Sequence, residues 1–120
     1  MISNPNTNYK TKQKPKDLEE IESIILSASA SKRLVVIDFS ATWCGPCKAI
    51  APFYHELSEM EEFSGSVDFL KVDVDENPEA AMKWSVTAMP TFLFIKEGEV
   101  VERVMGANAP KLQELLNDLS

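Results

Sequence analysis

Apolar residues in this chain recur with helical spacing in some stretches and strand spacing in others, and the switch points mark its elements. Leu18, Ile21, Ile25 and Ala28 share one helical face behind Pro15 and the acidic Asp17, Glu19 and Glu20, which suit a helix start. Leu34 to Phe39 is apolar on both parities except at Asp38, the pattern of a central strand covered on both faces. A second helix is predicted from about Cys44, with Ile50, Phe53, Leu57 and Met60 as its buried stripe and Pro52 kinking it from within. Val67 to Val74 alternates as a strand, and Asp75-Glu76-Asn77-Pro78 then opens a short helix through Trp84. Thr91 to Lys96 and Val100 to Met105 flank Glu97-Gly98-Glu99 as a hairpin with Gly98 at the turn. Asn108 and Pro110 precede Leu112, Leu115, Leu116 and Leu119, a capped amphipathic last helix.

That order predicts an α/β fold: a central mixed sheet of four to five strands with helices on both faces. Function in such sheets collects at the carboxyl ends of parallel strands, where the chain's two cysteines fall. One domain is expected over residues 17–120, preceded by a flexible basic arm, residues 1–16. Residues 1–13 hold almost nothing apolar, so most of the arm is predicted mobile, apart from a short edge strand near Tyr9.

Charge narrows the partners. Lys10, Lys12, Lys14 and Lys16 give residues 1–16 a charge of +4, which leaves −11 on the remainder of a chain whose net charge is −7. An acidic body repels phosphate and anionic lipid, so nucleic acid and membrane are poor partners. Its apolar runs are too short to span a bilayer. Two cysteines are too few for a secreted disulfide scaffold and no signal-peptide pattern opens the chain, so a cytoplasmic setting is expected.

Trp43-Cys44-Gly45-Pro46-Cys47 places two thiols three residues apart at a strand-to-helix junction. A cysteine at the helix start meets free backbone amides that favour its thiolate; this marks Cys44 as the acidic, exposed nucleophile. Cys47, one turn further in, is the shielded thiol that attacks a mixed disulfide at Cys44. Gly45 and Pro46 allow a tight loop and add no positive charge, which favours a reductant. A zinc site needs about four ligands and only His55 is available besides, so no metal is expected. A carboxylate at Asp38 in an apolar strand is costly unless it has a role or a partner, and Lys71 on the neighbouring strand is a candidate for the latter. The pair reads either as an acid–base device or as a structural ion pair. Spacing alone places Met89 and Met105 as core filler, Trp84 in core or rim packing, and His55 on the solvent face.

The blocks Asp38-Phe39-Ser40-Ala41-Thr42-Trp43-Cys44-Gly45-Pro46-Cys47-Lys48, Lys71-Val72-Asp73-Val74-Asp75, Ala88-Met89-Pro90-Thr91 and Gly106-Ala107 resemble thioredoxin, in family order from about Leu34 to the end. Thioredoxin is itself the familiar instance of thiol activation in a C-x-x-C motif. Ser40, Ala88 and Met89 resemble the eukaryotic cytosolic type more than the bacterial one. The resemblance implies a thioredoxin fold in which Cys44 attacks, Cys47 resolves, and Asp38, tuned by Lys71, helps to deprotonate Cys47. Pro90 matches the family's cis-proline, set against the cysteines, and the Met89 backbone pairs with an extended substrate segment. Trp43, Gly45, Pro46, Met89, Gly106 and Ala107 are then the substrate-facing surface around Cys44. Implied too are a monomer with no cofactor beyond its own disulfide, protein disulfides as substrates, and thioredoxin reductase as electron source. A disulfide oxidase or isomerase of the same fold, and a non-redox scaffold presenting the apolar patch, are the competing readings. The long polar arm and an extended loop at Glu61 to Ser66 depart from a minimal thioredoxin.

Overall fold

Asp17 starts the first helix as the charge pattern predicts: its carboxylate accepts the Glu20 amide at 2.9 Å, satisfying one of the free donors of the first turn. The computed structural model describes residues 12–120. The edge strand expected near Tyr9 and the mobility expected of residues 1–11 lie outside the described residues. Helix α1 spans Leu18–Ala30, β1 Leu34–Ser40, α2 Gly45–Ser58, β2 Val67–Asp73, α3 Pro78–Lys83, β3 Thr91–Lys96, β4 Glu99–Met105 and α4 Ala109–Leu119.

The sheet runs β2-β1-β3-β4, with β1 parallel to β2 and antiparallel to β3. Every residue of β1 is buried, because helices cover both faces of this central strand. Alternation sorts its side chains: Leu34 and Val36 join Phe69, Phe92, Tyr54, Leu112 and Leu116 on the α2/α4 side. Val35, Ile37 and Phe39 join Leu70, Leu93, Ile21 and Ala80 on the α1/α3 side. Asp38 therefore points to the α2/α4 side, one alternation beyond Val36.

Several boundaries differ from the sequence expectation. Ordered pairing begins within the arm: the Gln13 amide donates to Phe69 O at 2.8 Å and its carbonyl accepts from the Lys71 amide at 2.8 Å, a parallel bridge on the outer edge of β2. The pairing itself is made by backbone groups, so the polar side chains of this segment gave no sign of it. The hairpin turn is the two-residue Glu97-Gly98, with φ of 51° and 83°, and Glu99 already pairs with Lys96 inside β4. In α2 the fully buried aromatic is Tyr54 rather than Phe53, and Met60 lies past the helix end. Loop Glu61 to Ser66 contains a 3-10 turn, Glu61–Phe63, that drops Phe63 into the core. Met105, expected as core filler, is 64% exposed because β4 is an edge strand whose outward face has no cover.

Candidate active site

The chain leaves the carboxyl end of β1 at Ser40 and turns directly into α2, with Cys44 as the N-cap residue in extended conformation. Cys44 and Cys47 form a disulfide with their Cα atoms 5.3 Å apart. The Cys47 amide points at Cys44 Sγ from 3.2 Å, so an unpaired donor of the first turn faces the sulfur that the sequence marks as the nucleophile. The expected contrast in exposure is absent in this oxidised form: both cysteines are buried, within a small cluster completed by Ala41, Val74 and Met89. Gly45 and Pro46 follow as exposed first residues of α2, with open space around Gly45.

The Met89-Pro90 bond is cis. The Met89 carbonyl oxygen lies 3.6 Å from Cys44 Sγ, and half-buried Met89 packs on the cysteine cluster rather than serving only as core filler. Gly106, at φ 98°, donates its amide to the Pro90 carbonyl at 2.8 Å, tying the end of β4 to the cis-proline turn. Ala107 follows as an exposed residue. Trp43 is 64% exposed, yet its indole is fixed by donation to Asp75 at 2.8 Å. Of the expected substrate-facing residues, Met89 is the one packed against the cysteine cluster.

Asp38 and Lys71 are partners across β1 and β2, and Lys71 Nζ lies 3.6 Å from the buried carboxylate. That separation gives charge attraction without a hydrogen bond, and both carboxylate oxygens lack a hydrogen-bond partner among the described residues. Burial pushes the Asp38 carboxyl up from the ordinary 3.8 to about 6, while the Lys71 ammonium pulls it down and Lys12 does so more weakly. Lys71 and Cys47 both line an open groove of about 630 Å³, so the second cysteine and the partner of Asp38 share one access to solvent.

Tyr54 escaped the sequence reading. Its phenol, fully buried and pushed well above its ordinary pKa by burial, reaches the carbonyls of Val36 and Leu70 at 3.1 and 2.7 Å. His55, as expected, is on the surface, beside Glu59. Among the described residues no cluster of three potential metal ligands occurs, and no helix is long and apolar enough to cross a membrane.

A thioredoxin family model matches residues 12–118. Among curated relatives, thioredoxin H-type 2 of Nicotiana tabacum is 53% identical over 85 residues, covering 71% of this chain and 70% of the relative. The thioredoxin of Ovis aries is 53% identical over 91 residues, covering 76% of this chain and 84% of the relative. The X-ray structure of Fasciola hepatica thioredoxin superposes with a TM-score of 0.79 at 44% identity, covering 90% of this chain and 99% of that one. The Schistosoma mansoni thioredoxin crystal structure gives 0.81 at 41% identity, covering 94% and 99%.

Proposed function

This chain belongs to the thioredoxin family, and from that premise we propose that it reduces protein disulfides through Cys44 and Cys47 in a cytoplasmic setting. It is a thiol–disulfide oxidoreductase whose redox group is its own cysteine pair. In the reduced protein the Cys44 thiolate attacks one sulfur of a substrate disulfide; a new S–S bond forms and the other substrate sulfur leaves as a thiolate. Cys47 then loses its proton to Asp38 and attacks Cys44 Sγ, which releases the second substrate sulfur and closes the Cys44–Cys47 bond. Two electrons pass from the cysteine pair to the substrate, and thioredoxin reductase returns them.

Asp38 suits the proton step because a carboxyl near 6 exchanges its proton close to neutral pH, and Lys71 keeps it from rising further. Trp43, Gly45, Pro46, Met89, Gly106 and Ala107 receive an extended substrate segment, with the Met89 carbonyl as its backbone acceptor and Pro90 setting the turn. The observation that carries this reading is the disulfide at the start of α2 facing the Met89 carbonyl. The test is turnover of a model protein disulfide with thioredoxin reductase and reduced nicotinamide cofactor. Steady cofactor oxidation that vanishes in Cys44→Ser supports it; activity retained in that variant refutes it.

A further inference from the structure

We propose that Lys12, carried in by the docked start of the chain, is a second cation of the Asp38–Lys71 pair and a positioning residue for the proton that Asp38 exchanges. This inference rests on the acid–base reading of Asp38 given above.

The tether is Gln13, whose two backbone hydrogen bonds straddle Leu70 and hold the Lys71 amide. Residues bridged in a parallel pair share a face, so Gln13 lies on the Leu70 side of the sheet and its neighbours Lys12 and Lys14 lie on the side of Phe69 and Lys71. That is the α2 side, to which Asp38 also points. The Lys12 ammonium is found there, 3.4 Å from Nδ1 of His55 on α2. Half-buried Lys12 is held below the ordinary lysine value by burial first and then by Lys71 and Lys14, while Asp38 and Glu59 act in the opposite sense. The charged and titratable groups on the same side of the sheet as Asp38 are thus Lys71 from β2, Lys12 from the arm and the neutral phenol of Tyr54 from α2, each acting on it through charge or acted on by it; opposite it on β3 is the apolar Phe92. His55, Glu59 and Lys14 face Lys12 in turn. A buried carboxylate responds to nearby cations through charge, so removing one should raise the pH at which it ionises.

The test follows the Asp38 carboxyl by carbon NMR across pH in the oxidised full chain, where the cysteines do not titrate, for wild type, Lys12→Gln and Lys12→Arg. At low salt Lys12→Gln should move the midpoint upward by about a few tenths of a pH unit. Lys12→Arg should restore it, and the pH profile of disulfide exchange by the reduced proteins should move in step. Protection of the Gln13 and Lys71 amides against exchange reports that the segment stays docked. An unchanged midpoint in Lys12→Gln, or failure of arginine to restore a changed one, overturns the proposal. If wild type lacks Cys44-dependent exchange, the redox reading fails by itself, and the carboxyl titration still decides the role of Lys12.

Discussion

Cys44 Sγ and the Met89 carbonyl oxygen approach to 3.6 Å, bringing the start of α2 against the turn that enters β3. Two segments far apart in sequence therefore meet at one sulfur. β1 leads into the first and β3 follows the second, and these strands are paired with each other in register, so the approach is set by the sheet rather than by a flexible loop. On the proposed function, a substrate segment arriving at Cys44 would find the Met89 carbonyl already placed to accept one of its backbone amides.

The two cysteines should differ sharply once reduced. Cys44 is the N-cap and faces the Cys47 amide, whereas Cys47 lies inside the first turn. Limiting alkylation of the reduced protein should label Cys44, as mapped by mass spectrometry. Cys47→Ser should accumulate mixed disulfides through Cys44, because the resolving attack is lost. Predominant labelling at Cys47 would reverse the roles.

Tyr54→Phe should lower stability by about 1 kcal/mol, since the buried carbonyls of Val36 and Leu70 lose a donor. Turnover should change little, because the phenol touches no sulfur. Denaturant unfolding beside the reductase assay separates the two effects; a large loss of activity at unchanged stability contradicts this assignment.

The residues that break their local pattern were the legible ones. Asp38 stands out in an otherwise apolar strand, and Cys44 and Cys47 are the only cysteines at a strand-to-helix junction. Where the pattern allows two answers, sequence decides poorly: Phe53 and Tyr54 both fit a helical stripe containing Ile50 and Leu57, and packing chose Tyr54. Phe63 sits in a 3-10 turn too short for any period. Gln13 docks through its backbone, and Gly106, which has no side chain, reaches Pro90 the same way, so side-chain chemistry announces neither contact.

The docked segment makes truncation a graded test. Removing residues 1–8 leaves Lys12 and Gln13 in place, and thermal melting and turnover should stay close to those of the full chain. Removing residues 1–14 deletes both Gln13 bonds and should cost about 1–3 kcal/mol. A large loss already in the shorter truncation would show that the first eight residues contribute to the fold or the site.

Asp38→Asn should stabilise the protein at neutral pH while slowing disulfide exchange. The folded carboxyl titrates near 6 against an ordinary 3.8, so between those values the native state holds a proton that the unfolded chain has released. The contribution of Asp38 to stability therefore falls as pH rises through this window and levels off above it, at a total of about 3 kcal/mol. Below the window both states are protonated and the residue is neutral in its effect. Asparagine carries no charge, so its variant should lack the slope and be the more stable protein above pH 6, while losing the group proposed to take the Cys47 proton. Denaturant titrations of both proteins from mildly acidic to alkaline pH, with turnover measured alongside, test both halves. A wild type that is the more stable of the two above neutrality would mean that Lys71 outweighs desolvation, leaving Asp38 as a paired structural ion with no proton to exchange near neutral pH.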